Sequence, residues 1–182
     1  IEAFMPEHVL VASADHVYRM DYRPFIDFHI TNGADITVSF AQKRKRFLRF
    51  GYGVMDREGR LLQYEERPDT PPSDWVSMTL YLFRTGFLID ALKDNAKESS
   101  HEFGRDIVQQ SISRHRIFGY KHRAYWAYAR TVDSYYNTNM DMIHNNVALD
   151  AWQIRTNLME RCSQADRPPA YVNGSVSDAV IS

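Results

Sequence analysis

The chain has 182 residues, 44% of them hydrophobic and 25% charged, a globular composition that is neither disordered nor membranous. Its formal net charge of -1 supplies no field that would recruit nucleic acid or an acidic membrane, and no apolar run approaches the roughly 18 residues of a spanning helix. A single cysteine, Cys162, excludes an internal disulfide and fits a reducing compartment such as the cytoplasm.

The chain opens at Ile1 rather than at an initiator Met and closes on Val180-Ile181-Ser182, and it is read as an internal piece of a longer protein. His8-Val9-Leu10-Val11-Ala12 is an apolar run expected to form a buried strand. Asp21 to Gly33 is expected to be a helix, with Asp21 as cap, Pro24 tolerated early, and Gly33 at the close. Ala34 to Phe40 alternates and reads as a strand with Ile36, Val38 and Phe40 on one face. Phe50 to Met55 and Arg60 to Tyr64 read as two strands joined by the turn Asp56-Arg57-Glu58-Gly59.

After the loop Pro68 to Pro72, Val76 to Phe83 is a strand and Thr85 to Asn95 a helix with Phe87, Leu88, Ala91 and Leu92 on one side. His101 to Ser113 is expected to be helical, Ile117 to Lys121 a strand, and Thr131 to Ile143 a helix. Strands alternating with helices imply an α/β sheet covered on both faces. Three regions follow: a domain over residues 1–145, a linker over 146–170 containing Arg167-Pro168-Pro169, and a second architecture of short β-branched pieces over 171–182.

Asp15 directly follows the first strand, where open α/β sheets place ligands and where an acid could hold Mg²⁺. It reads equally well as a residue that orders the turn. Glu66-Arg67 ends another strand, where a carboxylate and a guanidinium could clamp sugar hydroxyls and a phosphate, although a solvated strand end is the commoner case. Lys43-Arg44-Lys45-Arg46 reads as a solvated loop rather than a nucleic-acid site. The seven histidines are scattered, and no zinc-protease motif, Walker loop, G-x-G-x-x-G or G-x-S-x-G is present.

A series of ordered segments resembles the glucose-1-phosphate adenylyltransferase family across almost the whole chain. Ser13 to Tyr22 is similar to S-G-D-H-[IV]-Y-K-M-D-Y, and Gly33-Ala34-Asp35-Ile36-Thr37-Val38 to G-A-D-[IV]-T-V. Phe50-Gly51, Glu66-Arg67-Pro68 and Val76 to Phe83 resemble F-G, E-K-P and A-S-M-G-I-Y-V-F. Ser99 to Ile107 resembles S-S-H-D-F-G-K-D-I, and Thr131 to Tyr136 with Asn139-Met140-Asp141 resembles T-I-D-S-Y-W…N-M-D.

The resemblance implies a Rossmann-like, mostly parallel mixed sheet with helices on both faces, followed by the start of a left-handed β-helix at 171–182. It implies a homo- or hetero-tetramer that joins glucose 1-phosphate to ATP with Mg²⁺ and releases pyrophosphate, with no nucleic acid or membrane partner. Carried over residue by residue, Asp15 would be catalytic and hold the metal, while Gly51, Glu66, Arg67 and Ser77 would line the glucose 1-phosphate pocket.

Several positions depart from the family pattern. Tyr128 and Arg130 stand where Y-W-R-D-V-G-T has Asp and Gly, and a phenol is a poor Mg²⁺ ligand at neutral pH. Thr79 and Ala14 replace glycines, and Arg67 replaces a Lys. The family's Gly-rich nucleotide loop is absent from these residues and is expected upstream of Ile1. Three functions follow as expectations: an ADP-glucose-forming enzyme of glycogen or starch synthesis, a silent regulatory homologue that binds sugar phosphate or effector, and a related pyrophosphorylase with another base or sugar.

Overall fold

The computed structural model describes residues 3–43, 49–98 and 100–144. The linker and β-helix expected at 146–182, and Arg44 to Arg46 of the basic run, lie outside the described residues. The chain divides into two compact units, one of Ile1–Ala14 and Met20–Ala124, the other of Asp15–Arg19 and Tyr125–Ser182.

The first unit is built on a six-stranded sheet. Its strands are β1 (His8–Ala12), β3 (Ile36–Gln42), β4 (Gly51–Met55), β5 (Leu61–Glu66), β6 (Trp75–Arg84) and β7 (Ile117–His122), while β2 (His16–Tyr18) belongs to the other unit. The order is β5-β4-β6-β3-β7, with β1 also on β6. The sheet is mixed, but the expectation of mostly parallel pairing does not hold among the described residues. The β3–β7 pair is parallel, whereas β1–β6, β3–β6, β4–β5 and β4–β6 are antiparallel. Two features account for it: β4 and β5 form a hairpin, and β6 runs opposite to each of its neighbours β1, β3 and β4.

Local chemistry explains the helices. In α1 (Tyr22–Thr31) the Asp21 carboxylate accepts the Arg23 amide proton at 3.0 Å, and the helix closes at Gly33, whose φ is 52°. The α2 helix runs Thr85–Asn95 as expected, burying Phe87 and Leu88. The segment expected as one helix over 101–113 is instead a wide π-helix, Phe103–Gln109.

Between β6 and β7, every residue of β3 from Ile36 to Ala41 is buried, so Thr37 and Ser39 lie as deep as their apolar neighbours. Ile36, Val38, Phe40, Tyr64, Phe83 and Ile107 belong to one packed cluster. Asp35 fastens the sheet end. Arg84, the last residue of β6, donates to it through Nε at 2.9 Å, and the Arg116 amide ahead of β7 donates at 3.1 Å.

The second unit holds a two-stranded antiparallel ladder that the sequence reading missed, β2 with β8 (Trp126–Tyr128). It also holds α3 (Val132–Ile143), capped at Thr131, whose hydroxyl accepts from the Ser134 amide at 3.1 Å. Thr138 ties helix to strand by donating to the Tyr128 carbonyl at 3.2 Å. Among the described residues no helix is long and apolar enough to cross a membrane.

Candidate functional site

In the first unit, Gly51, Glu66 and Ser77 come together around Tyr64. Gly51 begins β4 and stands opposite Glu66, the last residue of β5. Tyr64 and Glu66 are two residues apart on one strand and so project from the same face. The Tyr64 hydroxyl donates to Glu66 Oε2 at 2.9 Å and shares a further hydrogen bond with Ser77.

The space for this pair is made by glycine. A Cβ at Gly51 would run into the Tyr64 ring and come within 3.0 Å of Glu66 Oε2. A Cβ at Gly104, inside the π-helix, would collide with Glu66 Oε2 and stand 2.9 Å from the Tyr64 hydroxyl. Two segments distant in sequence thus approach the same carboxylate as bare backbone.

Ser77 is placed by an irregularity in β6. Phe40 pairs with Ser77 but Val38 pairs with Tyr81, so Met78, Thr79 and Leu80 face Ser39 alone. Within that bulge Thr79 takes φ 52°, and its amide donates to Ser77 Oγ at 3.2 Å. The family pattern has glycine at this position, and the left-handed backbone is a physical reason for it. Ala14, the other replaced glycine, is not among the positive-φ residues.

Arg67 also has a positive φ, 52°. Its Nε lies 3.7 Å from Glu66 Oε1, and its Nη1 lies 3.4 Å from Glu102 Oε1. Burial pushes the Glu66 carboxyl above its ordinary value and pushes the Tyr64 phenol well up. Glu102 Oε2 is buried without a hydrogen-bond partner. The site therefore offers two carboxylates, a half-exposed guanidinium and an unsatisfied acceptor, a donor and acceptor set suited to a hydroxyl-rich anion.

Sequence reasoning named Gly51, Glu66, Arg67 and Ser77 but not Tyr64, Glu102 or Gly104. The i, i+2 spacing of Tyr64 and Glu66 was a usable signal for the first, whereas nothing local marks Glu102 or Gly104 as neighbours of β5. A separate cleft of about 480 Å³ between α2 and the π-helix is lined by residues such as Arg84, Asp94, Asp106 and Arg114, and by none of the expected site residues.

Asp15 lies in the second unit. Its main-chain carbonyl accepts the Ala129 amide proton at 2.8 Å, which sets Arg130 beside it, and Arg130 Nε donates to Asp15 Oδ2. On the other side His16 Nε2 stands 3.4 Å from Asp15 Oδ1. Trp126 Nε1 donates to His16 Nδ1 at 3.2 Å. An indole N–H can only donate, so Nδ1 accepts and the proton of neutral His16 sits on Nε2. Tyr128 pairs with His16 across the ladder.

These residues do not fit a resident Mg²⁺. That ion wants several hard anionic oxygens around an octahedron. Asp15 already carries the Arg130 guanidinium on one oxygen, and the acid of the family pattern at position 128 is a Tyr. Among the described residues no group of three or more His, Cys, Asp or Glu is disposed to hold a metal.

The sequence profile of the nucleotidyl transferase family matches residues 2–145. The glucose-1-phosphate adenylyltransferase of Thermosipho africanus is 32% identical over 191 aligned positions, covering 100% of this chain and 45% of that protein. The enzyme of the same name from Geobacillus stearothermophilus is 34% identical over 191 positions, covering 100% of this chain and 48% of that protein. The chain thus spans about half the length of these curated relatives.

Proposed function

The chain belongs to the nucleotidyl transferase family, and we propose that it is part of an enzyme that makes ADP-glucose and pyrophosphate from ATP and glucose 1-phosphate, for glycogen or starch synthesis. The observation that carries this reading is the Tyr64–Glu66–Ser77 network in its glycine-walled recess, with Arg67 beside it. Glu66 would accept hydrogen bonds from glucose hydroxyls, Ser77 would add a hydroxyl contact, and Gly51 would let the sugar approach the backbone. Arg67 would meet the phosphate as a fork.

In the reaction a phosphate oxygen of glucose 1-phosphate attacks the α-phosphorus of ATP. A new P–O bond forms, the bond to the bridging α–β oxygen breaks, and pyrophosphate leaves with its electrons. Little covalent help is needed, and holding two polyanions in line supplies most of the rate. Mg²⁺ enters here as the counter-ion of the ATP substrate. Asp15, carried over from the family pattern, is proposed as a catalytic residue. A tetramer and a cytoplasmic setting belong to the same proposal.

The arrangement of the second unit favours one alternative, a regulatory subunit that binds sugar phosphate without turnover. Arg130 on Asp15, with Tyr128 in place of an acid, is the observation behind it. Pyrophosphate release by the intact protein, with ATP and other nucleotides against several sugar 1-phosphates, separates the two. Release with ATP and glucose 1-phosphate, weakened about tenfold or more by Glu66→Gln, supports the enzyme. Binding of glucose 1-phosphate with no release for any pair supports the regulatory subunit.

A further inference from the structure

We propose that the cleft between α2 and the π-helix binds a free basic amino acid, its carboxylate on Arg114, its α-ammonium on Asp90 and its side-chain cation at Asp94 and Glu98. The proposal does not rest on the functional reading above. The cleft lies wholly within the first unit. The π-helix separates it from the recess, since Gly104 of that helix stands against Glu66 while Ile107 lines the cleft.

The two ends of the cleft differ in charge. At one end the His115 ring meets Phe87, in the first turn of α2, with centroids 4.7 Å apart, which brings Arg114 to that end of the helix. At the other end Asn95, the last residue of α2, hydrogen-bonds Asp106 of the π-helix, and Asp94 and Glu98 line the same end.

Some of these charges are committed elsewhere. Arg84 is held by Asp35, and Asp106 accepts the Glu102 amide proton at 2.7 Å. Lys97 lies 3.0 Å from Asp94, but the two side chains are 75% and 80% exposed, so that contact is screened and readily exchanged. Among the described residues, the side chains of Asp90, Glu98 and Arg114 have no partner.

The order of groups along the cleft selects the ligand. Asp90 follows Arg114 and Phe87, and Asp94 stands one turn further on, about 6 Å along the axis. Ala91 on one wall and Ile107 on the other supply apolar surface between them. A basic amino acid has the complementary order of carboxylate, ammonium, apolar stem and second cation, and such stems lie on apolar surface while their charged ends stay wet. A diamine leaves Arg114 unmatched, and an acidic amino acid sets a carboxylate against Asp94. The volume of about 480 Å³ is that of a small-ligand site.

The test is calorimetric titration of the intact protein with L-lysine, L-arginine and three probes that each lack one charge. Cadaverine lacks the carboxylate, Nα-acetyl-L-lysine the α-ammonium, and L-norleucine the side-chain cation. L-lysine or L-arginine should bind, and each probe should bind roughly tenfold more weakly or worse. Arg114→Gln should weaken L-lysine about tenfold and leave cadaverine within about twofold. Asp90→Asn should weaken L-lysine about as much and leave Nα-acetyl-L-lysine within about twofold.

No binding of either amino acid, equal binding of any probe, or an Arg114→Gln variant that weakens cadaverine as much as L-lysine, each overturns the proposal. Asp90 and Arg114 are exposed residues, and if a variant fails to fold, the probe series on the unmodified protein still decides. Pyrophosphate release plays no part in the titration, so failure of the enzyme reading and failure of this one are told apart.

Discussion

Gly104 lies so close to Glu66 that a single added methyl would overlap the Glu66 carboxylate. Gly104→Ala must push the π-helix away from β5 or turn Glu66 off Tyr64. Either response breaks a packed contact, at a cost of about 1–3 kcal/mol. Urea unfolding of Gly104→Ala and Gly51→Ala should show both losses. A full-stability Gly104→Ala variant would mean that the Glu66 carboxylate is not held where its bond to Tyr64 places it.

Thr79 is a β-branched residue at φ 52° inside a strand. Such backbone costs an L-residue roughly 1–2 kcal/mol, partly offset by the extra freedom glycine has in the unfolded chain. Thr79→Gly should therefore stabilise the protein by about 1 kcal/mol, and Thr79→Ala by less. A lower unfolding midpoint for Thr79→Gly would contradict the strained bulge.

His29 is fully buried, with Nδ1 2.7 Å from the Thr37 hydroxyl and its ring edge-on to His8. Burial, with help from His8, holds its pKa down at about 4, against an ordinary 6.5. Between those values the unfolded chain takes up a proton that the folded chain refuses. The stabilisation is complete above about pH 6.5 and is lost as pH falls toward 4, by up to about 3 kcal/mol. His29→Asn should flatten the pH dependence of the unfolding free energy in this window, and an unchanged slope would assign the effect elsewhere.

Asp35 behaves in the usual carboxylate sense. Burial raises its pKa, but the Arg116 amide and the Arg84 guanidinium outweigh burial and leave it below its ordinary value. Its contribution is present above the unfolded-state value near 4 and disappears as pH falls through the folded-state value. Asp35→Asn should cost about 2 kcal/mol at neutral pH and progressively less below about pH 4. A cost that does not depend on pH would show that Asp35 acts through shape and not through charge.

What was legible in the sequence was what local chemistry controls. Asp21 and Gly33 bracketed α1, and the apolar side formed by Phe87 and Leu88 gave α2 its limits. The runs at His8 and Val76 marked strands because their apolar residues are contiguous. Strand direction was not legible, since it depends on which neighbours β6 finds and not on its own composition. The β2–β8 ladder was missed because His16–Tyr18 and Trp126–Tyr128 are three residues each, too short for any period to show. The recess was half legible: Glu66 and Ser77 stood at strand positions, while Gly104 joins them only through tertiary contact. The ion pair of Asp15 was least legible, because its partner lies 115 residues away.

That separation has a consequence during synthesis. The strand His16–Tyr18 leaves the ribosome well before its partner, since His16 and Trp126 are 110 positions apart. At roughly 5 to 20 residues per second, the gap lasts on the order of 5 to 20 s. For that time β2 is an edge without a mate; β1 waits less long, for β6 at Trp75–Arg84. The second unit is thus a late clasp, closed only when Trp126 to Tyr128 emerges, and a nascent chain stalled between residues 20 and 125 would carry an open strand available to another copy of itself.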